Sequence, residues 1–271
     1  MSPSLFIFIA LSSEAKPLIR HWCLKKHTDA HPFLIYSDAE RVLVVTGMGP
    51  IAMAGPIGYA MAIFPLRNQH CLMLNLGIAG HRHYELGSIY LADKIINGEN
   101  NKKFYPQFPR HISFKTCSVK TMQKPQDDYV DDCLYDMEAA AFYEICTKFS
   151  SNELIHSLKV VSDNSDSPIN NINATKVESW ISLHLQAIEE LINLIMQRTQ
   201  QLSSVNDSLF HLVSAHFYFT VSSSIRLKNL LQRWQLLHPD TQLEWQKIPA
   251  RNGKELLNWI EKELDETEFY L

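Results

Sequence analysis

The stretch CLMLNLGIAGH, residues 71–81, decides the fold. Its first half, Cys71–Leu76, is apolar at every position but Asn75 and does not alternate. A strand buried on both faces reads this way, as in parallel sheets covered by helices. A glycine loop follows at once, Gly77-Ile78-Ala79-Gly80. Similar runs recur along the chain: Leu5–Leu11 (LFIFIAL), Phe33–Tyr36, Arg41–Thr46, Ser88–Ile95, Phe114–Val119 and Leu158–Val161. Between them lie helical patterns at Glu14–Trp22, Ile51–Ile63, Met137–Lys148 and Lys176–Gln201. In the last of these, Val177, Ile181, Leu185, Ile188, Leu191, Ile192 and Ile195 recur at helical spacing. The alternation predicts an α/β fold with a mixed, mostly parallel central sheet flanked by helices.

Composition narrows the function. The 271 residues suit one large domain or slightly more. Lys plus Arg is 25 and Asp plus Glu is 29, a net charge of −4. Such weak acidity gives no reason to expect a nucleic-acid or membrane surface. Leu5–Leu11 is far too short to span a bilayer, and no signal-peptide pattern precedes it. The five cysteines, Cys23, Cys71, Cys117, Cys133 and Cys146, are odd in number and form no CxxC pair. They read as buried free thiols of a reducing, cytoplasmic protein.

The polar stretch Gln200–Ser208 (QQLSSVNDS) reads as a linker. It separates a main domain, residues 1–202, from a small helical extension, residues 209–271. The extension carries helical patterns at Ser222–Leu237 and Lys254–Leu264, with a turn at Pro239 and Asp240. Its Leu227, Leu231, Trp234 and Trp259 need cover. A segment of this size barely supports a core, so it is expected to pack on the main domain or on a second chain.

In open α/β sheets, ligands bind beyond the carboxyl ends of the strands. Five segments stand in such places: SSEAKP (12–17), TGMGP (46–50), LGIAGH (76–81), DMEAAA (136–141) and VSDNSD (161–166). Each has an ordinary structural reading. Glu14 and Glu138 fit the first turn of a helix, where a carboxylate complements the dipole. Asp163 fits a helix N-cap, as does Asp166. The glycines fit turns. His81-Arg82-His83 lacks a third metal ligand and reads as a solvated loop, so no metal is expected. The chain has no HExxH, GxSxG, Walker or GxGxxG motif.

Taken in order, these segments resemble the nucleoside phosphorylase and nucleosidase superfamily, nearest to its methylthioadenosine/adenosylhomocysteine nucleosidase branch. The matching pieces are Ser12-Ser13-Glu14, Gly47-Met48-Gly49, Gly77-Ile78-Ala79-Gly80, Leu86-Gly87-Ser88, Met137-Glu138-Ala139 and Ser162-Asp163. The resemblance covers about residues 4–200. The resemblance implies a three-layer α/β/α domain that cleaves the N-glycosidic bond of a purine nucleoside without a cofactor. It implies that Glu138 grips the ribose hydroxyls with Met137 packed on the sugar. A carboxylate, being acceptor-only, can take both protons of a cis-diol. Asp163, beside Ser162, would protonate the leaving base from a carboxyl of raised pKa. Glu14 would orient or deprotonate the attacking water. The two glycine loops, Gly47-Met48-Gly49 and Gly77 to Gly80, would line the sugar and nucleophile through backbone N–H groups.

Phosphorylases of the superfamily hold phosphate with arginines after the first strand and before the second glycine loop. Here those places read Ser12-Ser13-Glu14-Ala15-Lys16 and Asn75-Leu76, which favours water over phosphate as nucleophile. Phosphorolysis, with phosphate as a second partner, is the alternative. Ile78 replaces a frequent Ser, and Lys159 replaces a frequent Arg, losing its planar fork. These departures, with a short polar stretch between Asn97 and Tyr135, motivate a third reading: a nucleoside-binding protein without turnover. The helix Ile51–Ile63 is apolar all round and must be covered on more than one side. Together with the resemblance this leads to the expectation of a homodimer, with Met53 on its surface.

Overall fold

A computed structural model describes residues 3–28, 32–64, 71–108, 112, 114–126, 128–238, 241 and 243–266. The strands are β1 (Leu5–Ile9), β2 (Lys25–Lys26), β3 (Leu34–Ser37), β4 (Arg41–Val45), β5 (Leu72–Gly80), β6 (Ile89–Asn97), β7 (Lys103–Phe104), β8 (Thr116–Thr121), β9 (Leu134–Asp136) and β10 (Ile155–Asp163). The helices are α1 (Ser12–His21), α2 (Pro50–Ile63), α3 (Ala139–Cys146), α4 (Ala174–Ser182), α5 (Leu185–His216), α6 (Val221–Leu237) and α7 (Gly253–Glu266). The expected turn at Pro239–Asp240 lies outside the described residues.

The sheet is mixed, and its longest ladders are parallel: β1 with β4 and β5, β10 with β5, and β6 with β8. It differs from an open sheet in one respect that matters for the site. β10 pairs with both β5 and β6, and β9 pairs with both β8 and β5. The path β5–β10–β6–β8–β9 therefore returns to β5 and closes. The seam is Gly80, which pairs with Asp163 on one side and Tyr135 on the other.

The apolar runs fill the core as their pattern demands. Every residue of β1 and of β10 is buried. Phe6 and Phe8 pack with Met53, Ile57 and Ala60 of α2 and with Phe142 of α3. Period-two alternation sends Ile7 and Ile9 to the other face. On α2, Met53 is fully buried, which corrects the expectation of a surface position. The exposed face of α2 is instead Ile51, Gly55, Gly58 and Ala62.

The long C-terminal helical pattern is two helices. Asn173 caps α4 through its side chain, which accepts from the Lys176 N–H at 2.9 Å. The break falls at Leu183 and His184, where the His184 ring bonds the Gly87 carbonyl at 2.6 Å. Gln200–Ser208 is not a linker but part of the continuous helix α5. Polar residues of ordinary helix propensity do not by themselves end a helix that lacks Gly and Pro.

The chain divides into two compact units, Met1–Ile195 and Met196–Leu271, with the division inside α5. The second unit has a core of its own, contrary to the expectation of borrowed cover. Leu209, Val213, Leu227, Leu231, Leu256 and Ile260 are buried together, with Trp234 and Trp259 packed against them. Of the five cysteines, all free, Cys23 is exposed and the other four are buried. Among the described residues no helix is long and apolar enough to cross a membrane.

These burials predict contrasting effects on α2. Met53→Glu puts an unpaired charge in the core and is expected to cost about 3–5 kcal/mol. Ile51→Glu, at a position 91% exposed in the single chain, is expected to change the stability of the monomer by no more than about 0.5 kcal/mol. Chemical denaturation measures both.

Candidate functional site

Beyond the ends of β1, β5, β9 and β10 lies a cleft enclosing about 610 Å³ of empty space, part of it open to solvent. It is lined by Leu11 and Glu14, by Met48, by Ile78, Ala79 and Gly80, by Tyr135, Asp136, Met137 and Glu138, and by Ser162, Asp163 and Ile169. Lys124, Pro125 and Gln126 border it from the loop before β9.

Glu14 is not the surface residue that its place in α1 suggests; it is 2% exposed. Its Oε2 accepts from the Leu11 N–H and its Oε1 from the Ile78 N–H, each at 2.8 Å. Burial pushes its pKa up to about 7, against the lowering pull of those two N–H groups and of Lys159. A Cβ at Gly77 would sit 3.2 Å from Glu14 Oε1, so glycine here gives the carboxyl its room.

Glu138 sits just before α3, at its N-cap position rather than in its first turn. The cap itself is supplied by Asp136, whose Oδ2 accepts from the Ala139 N–H at 2.8 Å. This frees Glu138 to turn into the cleft, where its Oε1 accepts from the Gly49 N–H at 2.7 Å. Gly49, at φ 96° and ψ 165°, adopts a conformation open almost only to glycine. Burial raises the Glu138 pKa, with Asp136 adding to it and Lys159 opposing.

Lys159, on β10, is 1% exposed, and its Nζ lies 2.7 Å from Asp136 Oδ2. Burial pulls its pKa down, but Asp136, Glu138 and Glu14 outweigh this and hold it above the usual lysine value. Asp136 also accepts from the Thr121 hydroxyl at 2.6 Å.

Asp163 closes β10 after a register shift between Val161 and Asp163. Such a bulge re-aims a side chain. The carboxyl is buried in the cleft wall, with Oδ1 accepting from the Ser162 hydroxyl and Oδ2 from the Tyr129 hydroxyl. Asp166 is exposed and does not line the cleft.

Of the residues singled out in the sequence, Glu14, Met48, Ile78, Ala79, Gly80, Met137, Glu138, Ser162 and Asp163 meet at this cleft. Gly47, Gly49 and Gly77 do not line it; Gly49 and Gly77 act one layer back, on Glu138 and Glu14. Lys159, noted in the sequence at a position of frequent Arg, lies behind the cleft, and the sequence reading does not single out Asp136, Tyr129 or Thr121. Asp136 was legible as a capping residue before an alanine-rich helix, whereas the loop carrying Tyr129 has no periodic pattern. His81 is corrected: it is 1% exposed, not solvated. Its ring stacks on Tyr84 at 3.5 Å, and its Nδ1 accepts from the N–H groups of His83 and Tyr84. Burial lowers its pKa, against Asp132. Among the described residues no group of three His, Cys, Asp or Glu side chains could hold a metal ion.

No protein-family description matches the chain, and no curated protein sequence does. Solved structures do match. The fold is similar to that of 5′-methylthioadenosine nucleosidase from Arabidopsis thaliana, with a TM-score of 0.61 at 17% identity, covering 72% of this chain and 96% of that one. It is similar to an MTA/SAH nucleosidase, with a TM-score of 0.58 at 16% identity, covering 72% and 96%. It is also similar to futalosine hydrolase from Helicobacter pylori, with a TM-score of 0.55 at 10% identity, covering 70% and 99%. The chain has the mixed α/β fold of these nucleosidases.

The seam predicts its own fragility. A Cβ at Gly80 would lie 2.5 Å from Asp163 Oδ2 and 2.6 Å from the Tyr129 hydroxyl. Gly80→Ala is therefore expected to cost about 1–3 kcal/mol. Gly58→Ala, whose Cβ meets nothing within 4 Å, is expected to be neutral or to stabilise by up to about 1 kcal/mol. Urea denaturation of the two variants checks the contrast.

Proposed function

We propose that this protein cleaves the N-glycosidic bond of a purine nucleoside by hydrolysis. One observation carries the reading: Glu14, Glu138 and Asp163, from the ends of three different strands, converge on one cleft. The fold shared with nucleosidases supports it. In the proposed reaction Glu138 accepts the protons of the ribose hydroxyls, with Met137 against the sugar. Asp163 gives a proton to a ring nitrogen of the base as the bond from C1′ to the base breaks. Glu14 takes a proton from water as its oxygen bonds C1′. Acid, base and water suffice, so no cofactor enters.

Water is favoured over phosphate on charge. No arginine stands among the described lining residues, while Glu14, Asp136, Glu138 and Asp163 all do. Lys159, the buried cation nearby, is already paired with Asp136. With Asp163 protonated as the acid, a dianion entering beside Asp136 and Glu138 meets like charge, and Lys124 at the rim is the one cation among the described lining residues. The replacement of Arg by Lys at this position leaves that pairing intact, which weakens the case for a binding protein without turnover.

Incubation with methylthioadenosine, adenosylhomocysteine, inosine, adenosine and futalosine, with and without phosphate, tests the proposal by release of free base. No release from any of them refutes it. Release that requires phosphate refutes hydrolysis alone. Nucleoside binding by calorimetry without product points to the non-catalytic reading. Asp163→Asn is expected to lower turnover by about 10²–10⁴ with the fold retained.

The Glu14 pKa near 7 fixes the sign of the pH dependence. Glu14 acts as a base only when ionised, so the rate is expected to fall as pH drops through about 7, roughly tenfold per unit below it. Glu14→Gln is expected to be slow and to lack this acid-side limb.

A homodimer built on α2 is part of the proposal. Ile51, Gly55, Gly58 and Ala62 form one exposed stripe of helical spacing, with Met48, 62% exposed, beside it at the cleft. Ile51→Glu is expected to convert a dimer to a monomer in light scattering. A dimer unchanged by this substitution places the interface elsewhere.

A further inference from the structure

The dipeptide His81-Arg82, at the end of β5, has no part in the chemistry proposed above, yet it is bonded to both sides of Asp163. On one side the His81 N–H donates to the Asp163 carbonyl at 3.0 Å, and the Ser165 N–H donates to the Arg82 carbonyl at 3.2 Å. On the other side Arg82 grips the loop before β9. Its Nε donates to the Tyr129 carbonyl at 2.6 Å and its Nη2 to the Val130 carbonyl at 2.7 Å. His81 Nε2 lies 3.3 Å from Asp132 Oδ1 in the same loop. The loop is thereby held so that Tyr129, 4% exposed and packed with Cys133 and Tyr135, presents its hydroxyl to Asp163 Oδ2. Gly80, with no side chain, leaves the space in which the two meet.

We infer that Tyr129 is a positioning residue for Asp163 and that Arg82 holds it in place. The inference rests on the nucleosidase reading. Tyr129 does not line the cleft; it approaches the carboxyl from behind. Two hydroxyls, from Ser162 and Tyr129, fix the two carboxyl oxygens and so fix the plane of the group. The bond from Tyr129 also changes strength along the reaction. While Asp163 carries its proton, the phenol donates to a neutral group. When that proton passes to the base, the phenol donates to a carboxylate, and a charge-assisted bond is the stronger one. Tyr129 keeps its own proton throughout. An interaction stronger in the transition state than in the ground state raises kcat and leaves KM nearly alone.

A leaving group that needs no proton isolates this effect. Tyr129→Phe is compared with wild type on the purine nucleoside that wild type cleaves and on 4-nitrophenyl ribofuranoside, whose nitrophenolate departs unprotonated. On the nucleoside, kcat is expected to fall about 10- to 100-fold with KM within about threefold. On the nitrophenyl riboside, the rate is expected to stay within about threefold. Arg82→Lys, which can reach one of the two carbonyls, is expected to shift both substrates in the same pattern by less, and it stands in if Tyr129→Phe melts far below wild type. Equal losses on the two substrates, or an unchanged kcat on the nucleoside, overturn the positioning role. Wild-type protein that releases no base overturns the nucleosidase reading and this role with it; an active wild type with an unaffected Tyr129→Phe overturns this role alone.

Discussion

The closure of the sheet at Gly80 is the constraint on which the rest of the site depends. One residue with no side chain is bonded into β10 through Asp163 and into β9 through Tyr135. Because the strands meet there, the ends of β5, β9 and β10 lie side by side, with β1 next to β5. Each end delivers its cleft-lining residues over a few positions: Ile78 to Gly80, Asp136 to Glu138, Ser162 to Asp163, and Glu14 in the first turn of α1. Without the β5–β9 pairing, β9 would lie at the edge of the sheet, separated from β5 by β10, β6 and β8. The bulge before Asp163 belongs to the same construction. It takes up the change of register at which β10 stops following β5 and aims the carboxyl inward.

Much of this was legible in the sequence, because unalternating apolar strands and strand-end motifs are local signals. LFIFI and RVLVV are strands as read, and Glu14, Glu138 and Asp163 share one cleft, but the strand read at 71–76 runs on through Gly80, so the expected glycine loop is itself part of β5. What escaped depends on contacts between distant residues. β9 has three residues and no apolar period, so neither it nor the closure it completes could be read from spacing. Tyr129 matters only because Arg82, 47 residues earlier, holds its carbonyl. His81 was read as solvated because a histidine between polar neighbours in a loop has no burial pattern; its burial comes from stacking on Tyr84. Met53 was misplaced because a helix apolar on every side does not reveal which face meets the sheet. The stretch Gln200–Ser208 is helix rather than linker because residues of ordinary propensity continue α5 where no Gly or Pro interrupts it.

The charges of the cleft carry the argument on to the nucleophile. Glu14, Asp136 and Glu138 are buried around one cation, Lys159. Burying carboxylates without full compensation is unfavourable, and a site can relieve the imbalance by keeping a proton. Burial raises the pKa of both Glu14, to about 7, and Glu138. A carboxyl poised near neutrality exchanges protons readily with water, whereas a site made to hold a phosphate dianion would need unpaired cations in the same space. Lys159 is paired with the Asp136 oxygen 2.7 Å away, and Glu138 and Glu14 also act on its charge. The burial that raises the Glu14 pKa to about 7 is therefore the property on which its proposed role as a base toward water rests.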